Sequence, residues 1–440
     1  MLRYLRVQNW KSYYEPVEFS MVATRERQHG ERLAKIGRSR VLPVSAIYGA
    51  NAAGKSTFVE AVEALRNLVL DTRPAGAALR MTPHLLRGRG EPTAFGVEFV
   101  APVHDGAGAE RDQVFIYEVA ADRRRIRRES LVLVRTRTEE FVFDRNGDDV
   151  ELYGELDDNP RAGAHATVIA DNETFLGAVG SDGGPLIEAA RAWFAHQLTV
   201  IHPGDRYVYL PARIDADDMF ASAMNEGLTR ADTGISRLEL EAMEMAALPL
   251  PAERVDELVE MLEDRGGSLV IGMEDSDWAL LSLDEGEPTA RRLVTLHEAD
   301  EPPGAASASF RLQLREESDG TQRFMNLLPV LLQLRDEDTR RVFVVDELEN
   351  SMHPKLTEDF LRSFLEGLDA DDRRQLIFTT HEVQLMRSDV LRRDEIWLAD
   401  KVEGQSRLTR VTDFSDAGVR KDADLLSFYM SGRLGGVPKI

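Results

Sequence analysis

The chain opens on alternating apolar and polar positions, Met1-Leu2-Arg3-Tyr4-Leu5-Arg6-Val7-Gln8-Asn9-Trp10, which predicts a half-buried strand. A short apolar run from Val41 to Tyr48 predicts a fully buried strand. A loop follows from Gly49 to Thr57. Then Phe58, Val59, Val62, Leu65 and Val69 recur at helical spacing as far as Leu70, and Pro74 and Gly76 end the helix. Residues 93–153 alternate or run apolar in segments parted by turn residues such as Asp144-Arg145-Asn146-Gly147, the pattern of an antiparallel meander. Residues 186–200 read as a helix running into a strand.

The middle of the chain reads differently. Residues 215–264 predict helices, one over Ala231–Ala247 and one over Ala252–Asp264, parted by Pro249 and Pro251. In the second, Val255, Leu258, Val259 and Leu262 share a face. The small, Pro-rich residues 300–309 read as a linker. Strand signals return at Phe310–Leu314, Arg341–Asp346 and Gln375–Thr379, and helix signals at Gln322–Leu334 and Lys355–Leu368. The pattern divides the chain into an N-terminal lobe, 1–210, a mainly helical insertion, 211–305, and a C-terminal lobe, 306–440.

Charge narrows the function. The chain carries 54 Lys+Arg against 77 Asp+Glu, a net −23, which argues against a general polyanion binder because nucleic-acid affinity rests on neutralising phosphates. The best basic run is Arg123-Arg124-Arg125-Ile126-Arg127-Arg128; it reads either as a DNA-facing patch or as a charged hairpin edge. With no cysteine, disulfides, Cys-ligated metals and thiol nucleophiles are excluded. No 18 apolar residues run together, so a membrane-spanning helix is not expected and the expected location is the cytoplasm.

The loop after the first buried strand holds the clearest chemistry. Gly49-Ala50-Asn51-Ala52-Ala53-Gly54-Lys55-Ser56 fits G-x-x-x-x-G-K-[ST] and is followed by Thr57. Its glycines let backbone N–H groups curl round a phosphate, and the helix behind it turns its positive end toward the anion. Lys55 supplies a cation for the β- and γ-phosphates and Ser56 a hydroxyl for Mg2+. Nearly three hundred residues on, Arg341-Val342-Phe343-Val344-Val345-Asp346-Glu347 is a buried strand ending in two acids. Asp346 suits a Mg2+ ligand beside such a loop, and Glu347 a general base on the attacking water. Between them, Glu317-Ser318-Asp319-Gly320-Thr321-Gln322 opens a helix. Its Ser318 and Gly320 suit either a γ-phosphate contact or an ordinary N-cap. Leu376-Ile377-Phe378-Thr379-Thr380-His381 is a further strand, ending in a His that suits a γ-phosphate sensor.

The order of these motifs resembles the ABC-type ATPase heads of the SMC/RecF kind. More closely it resembles the AAA-labelled P-loop ATPases of bacterial abortive-infection and phage-defence systems, the RloA/OLD-like group. Leu5-Arg6-Val7-Gln8-Asn9-Trp10-Lys11-Ser12 looks like the family's opening, Asp346-Glu347-Leu348-Glu349-Asn350-Ser351-Met352-His353-Pro354 like its Walker B and D-loop, and Gly432-Arg433-Leu434-Gly435-Gly436-Val437-Pro438 like its C-terminal signature. The resemblance implies an α/β fold, an ABC-type head with a mixed sheet, flanking helices, an antiparallel β lobe and a helical lid-like insertion. It implies ATP and Mg2+ as cofactors and a homodimer or higher oligomer in which two heads sandwich ATP. Ser318 and Gly320 would then act in trans, while Lys55, Glu347 and His381 would serve hydrolysis. Two partners are implied: a separate effector, nuclease or toxin, because no room for a Toprim nuclease follows Gly436, and DNA on the RecF-like alternative. No Q-loop glutamine stands out; Gln113 is a poor candidate.

Overall fold

Strands buried along their whole length organise the part of the chain that carries the phosphate loop. A computed structural model describes residues 1–104, 110–273, 277–299, 308–387, 389–417 and 425–430. It divides into one unit of Met1–Pro203, Asp336–Glu349 and Leu361–Ile440, and a second of Gly204–Arg335 and Asn350–Phe360.

In the first unit a six-stranded sheet runs in the order Leu198–Ile201, Val342–Val345, Gln375–Thr380, Val44–Gly49, Ile396–Val402, Gln405–Arg410. The first five are parallel and the last is antiparallel to its neighbour. Every residue of Val44–Gly49, Val342–Val345 and Gln375–Thr380 is buried. A central parallel strand is covered on both faces, which is why these runs are so apolar. The helix Lys55–Leu70 buries Phe58, Val59, Val62, Leu65 and Val69, the residues whose spacing predicts it. Phe58 packs on Phe19 (4.8 Å between rings), and Phe19 on Trp397 (5.0 Å).

The predicted meander is also present. A seven-stranded antiparallel sheet takes the order Asp149–Leu152, Glu139–Asn146, Ile126–Val134, Glu110–Ala121, Thr93–His104, Leu2–Gln8, Val17–Ser20. The opening strand therefore joins the β lobe, with Leu5 opposite Val97 and Val7 opposite Phe95. The buried amide of Gln375 ties the two sheets together. Its Oε1 accepts from the Leu2 N–H (2.5 Å), and its Nε2 donates to the carbonyls of Leu2 (2.9 Å) and Leu42 (3.0 Å).

The second unit corrects the expectation of a mainly helical insertion. Helices Leu210–Ala216, Asp218–Arg230 and Ala252–Arg265 are present, but beside them lies a five-stranded antiparallel sheet of Ile235–Met243, Ser268–Gly272, Trp278–Asp284, Glu287–Ala299 and Ala308–Gln313. The stretch read as a helix over Ala231–Ala247 is instead the strand Ile235–Met243, paired along Glu287–Ala299. Its Leu, Glu, Ala and Met favour helices, but pairing with a neighbouring strand overrides so weak a preference. The helix Ala252–Arg265 does bury Val255 and Leu262, with Leu258 and Val259 packed on the same cluster. The helix Asp319–Arg335 groups with this unit, so the predicted boundary near residue 306 is not where the chain divides. Gly432–Pro438 and residues 300–307 lie outside the described residues. Among the described residues no helix is long and apolar enough to cross a membrane.

Candidate nucleotide-binding site

The carboxyl ends of three neighbouring parallel strands deliver the start of the loop, the acids and the His: Gly49 from Val44–Gly49, His381 just after Gln375–Thr380, and Asp346 and Glu347 just after Val342–Val345. Open α/β sheets bind ligands at that edge.

The loop needs its glycines for space. A Cβ on Gly49 would stand 2.5 Å from the Ala399 carbonyl oxygen, and one on Gly54 would stand 2.6 Å from Ser406 Cβ. Gly54 takes φ 117° and Ala52 φ 61°. Asn51 and Ala52 are exposed at the loop's tip, and Ala53, Gly54 and Lys55 are buried. The helix starts at Lys55, with Ser56 and Thr57 in its first turn and Ser56 exposed. The Lys55 ammonium donates to the carbonyls of Gly49 (2.9 Å) and Ala50 (3.3 Å). Burial holds its pKa below the usual lysine value, and Glu347, Asp346 and Glu349 pull the other way.

Asp346 is buried. The Thr379 hydroxyl donates to its Oδ1 (2.6 Å) and accepts from the Glu347 N–H (2.8 Å), so one side chain orients both acids. Glu347 sits at φ 48°, in the left-handed region, where the strand turns sharply. The Glu349 carboxylate accepts from the His381 N–H (2.5 Å). Partial burial and then Lys55 lower the His381 pKa, against the carboxylates Glu349, Glu347 and Asp346, which favours a neutral imidazole at physiological pH. Lys55, Asp346, Glu347, Glu349 and His381 thus form one electrostatic cluster. Beside it, Glu349 Oε2 and the Tyr48 hydroxyl are buried with no hydrogen-bond partner among the described residues.

Several supporting residues escape a reading of the sequence. The Tyr13 hydroxyl donates to the Gly54 carbonyl (2.7 Å), Ser12 Oγ donates to Thr57 Oγ1 (3.3 Å), and Ser406 Oγ donates to Ser12 Oγ (2.8 Å). Thr379 and Glu349 were the nearest to legible, since both lie inside motifs singled out for other residues. Gln113 serves the β lobe: its buried amide donates to the carbonyls of Val114 and Val134, both at 3.0 Å. In the basic run, Arg125 pairs with Asp148 and Arg127 with Asp122, and the run covers the turn between two inner strands of the β lobe, so it is a charged hairpin turn and not a sheet edge.

Ser318 and Gly320 lie in the second unit. Ser318 is exposed, and its hydroxyl accepts from the Thr321 N–H (3.2 Å), capping the helix Asp319–Arg335. A Cβ on Gly320 would collide with the Ser351 carbonyl oxygen, so only glycine fits there.

The residues present fit Mg·ATP. Two glycines let the loop pack closely on the strands beside it, a helix begins at the loop, and a buried ammonium and a buried Asp converge beside an exposed Ser. Strand order, loop and paired acids define a P-loop ATPase fold of the α/β class. The sequence profile of the family described as "AAA domain, putative AbiEii toxin, Type IV TA system" matches residues 44–181 and 274–387, more than half of the chain. The chain belongs to that family. No curated protein matches the chain. Among solved structures, it is similar to an SMC head bound to the C-terminal winged-helix domain of ScpA (12% identity, 93% of this chain and 97% of that one, TM-score 0.43). It is also similar to the SMC head domain from Thermotoga maritima (11% identity, 93% of this chain and 98% of that one, TM-score 0.36).

Proposed function

We propose that the protein is a cytoplasmic, ATP-hydrolysing switch of the RloA/OLD-like kind. It is the ATPase component of an anti-phage or abortive-infection module that controls a separate effector, and it acts as a dimer with ATP held between two heads. The convergence of Lys55, Asp346, Glu347 and His381 at one sheet edge carries the ATPase reading. The family's description supports the defence setting.

Bound Mg·ATP supplies an electrophilic γ-phosphate with its charge partly neutralised. Backbone N–H groups of residues 51–57 would cradle the phosphates, Lys55 would hold the β- and γ-oxygens, and Ser56 and Asp346 would hold Mg2+. Glu347 takes a proton from the attacking water, and neutral His381 accepts or donates a hydrogen bond at the γ-phosphate. Ser318 and Gly320 complete the site of the partner head.

Glu347→Gln should trap an ATP-bound dimer, read by light scattering; a monomer in saturating Mg·ATP would sink the sandwich. The same variant, tagged and used as bait in nuclease-treated native-host lysate, should retain a stoichiometric small protein that leaves when ATP is withdrawn. Recovery of no protein, with ATP-dependent retention of added DNA, would favour a RecF-like repair ATPase instead.

A further inference from the structure

Glu317 stands one residue before the Ser318-Asp319-Gly320 turn, and it is not free to follow that turn. Its side chain is buried (6% exposed), and its Oε1 accepts from Thr295 Oγ1 (2.5 Å) and lies 2.7 Å from His297 Nε2. A carboxylate only accepts, so Nε2 carries the hydrogen. Both donors stand on the strand Glu287–Ala299, the one that pairs with three others in the insertion sheet. The His297 ring is itself held, stacked on Phe310 of the next strand at 5.1 Å and 10°. From that next strand only one 3-10 turn, Leu314–Glu316, leads to Glu317, and the Gln313 N–H closes it by donating to Glu316 Oε2 (2.7 Å). On the other side the Glu317 carbonyl accepts from Gln322 Nε2 (2.8 Å), and Ser318 caps the helix. An exposed turn is thus anchored on a buried carboxylate whose partners belong to a β-sheet.

We propose that His297 is a positioning residue. Through Glu317 it fixes the Ser318–Gly320 turn, so the insertion sheet sets how well one head engages the nucleotide of the other. A ligand or protein that shifts the strand Glu287–Ala299 would change head closure without touching ATP. This rests on the sandwich reading above.

The test uses full-length protein in the Glu347→Gln background and two readouts: dimer affinity in saturating Mg·ATP by analytical ultracentrifugation, and affinity of dilute, monomeric protein for a fluorescent ATP analogue. His297→Ala should weaken dimerisation by about tenfold or more, the loss of a hydrogen bond to a charged group. Nucleotide affinity should stay as in the parent. His297→Gln, which keeps an N–H donor, should restore most of the dimer. If His297→Ala misfolds, near-isosteric Thr295→Val removes the other donor and should weaken the dimer by a smaller factor. Dimerisation unchanged in the folded variants overturns the proposal, as does an equal fall in both readouts. A parent that stays monomeric overturns the sandwich reading and this inference with it, a result distinct from either.

Discussion

The central strands of the parallel sheet in the first unit and the outer strand Ile235–Met243 of the antiparallel sheet in the second are covered to different degrees. In the first, the three central strands bury every side chain, and their few polar groups find internal partners: Ser45 Oγ on the Glu395 carbonyl, Thr379 on Asp346, Gln375 on Leu2 and Leu42. In the second, Ile235–Met243 buries Ile235 and Leu238 and leaves the rest half-covered or exposed. Ion pairs lace its surface, Glu241 with Arg292 (2.7 Å), Glu239 with Arg311 (2.8 Å) and Asp215 with Arg291 (2.7 Å). Apolar burial is not screened by salt, whereas partly exposed ion pairs are. Chemistry that tolerates little displacement stands on the first kind of sheet. The second kind suits a surface that yields to a partner.

Five variants test that contrast. Lys55→Ala should cut turnover on the order of a hundredfold or more, as removal of a positioned electrostatic group does, while the second unit stays folded. Wild-type turnover would remove the site. Asp394→Asn breaks a buried pair in the first unit. Arg392 donates to both carboxylate oxygens (2.8 and 2.9 Å), and Thr24 donates from its N–H and hydroxyl. Burial pushes the Asp394 pKa up, but Arg392, the Thr24 N–H and Arg410 together outweigh it and hold the group below its ordinary 3.8. A lowered carboxylate pKa adds stability above the unfolded value and loses it as pH falls through the folded one. The variant should therefore lose about 3–5 kcal/mol at neutral pH, and the gap should close in acid. A gap constant down to pH 2 would contradict the pairing. Ile377→Ala should cost about 2–5 kcal/mol in chemical denaturation, and Leu240→Ala in the half-covered strand clearly less. Equal costs would erase the contrast. Glu239→Gln should cost at most about 1 kcal/mol and nothing measurable near 1 M salt.

The first sheet was legible for the reason that makes it stable. Four consecutive buried residues before Asp346, and six ending at Gly49, leave little choice but a central strand, and the loop's chemistry is contiguous from Gly49 to Thr57. What joins distant residues was not legible: the Thr379 hydroxyl shared by Asp346 and Glu347, Tyr13 on the Gly54 carbonyl, and Glu349 on the His381 N–H. Each depends on register between segments far apart in the chain. The insertion misleads for another reason. Leu238-Glu239-Leu240-Glu241-Ala242-Met243 alternates, as a strand should, but in residues that favour helices. Only the pairing with Glu287–Ala299 decides between the two.

One contact also bears on the history of the chain. Gly54 and Ser406 are so close that a Cβ on the first would overlap the second, although they belong to opposite ends of the sequence. The two positions are one volume shared between the loop and the last strand of the sheet. Substitutions at position 406 are therefore limited to residues about as small as serine, unless the loop moves. Among relatives that keep the loop, the size of residue 406 should vary as little as the glycine it faces, even where its hydroxyl bond to Ser12 is lost.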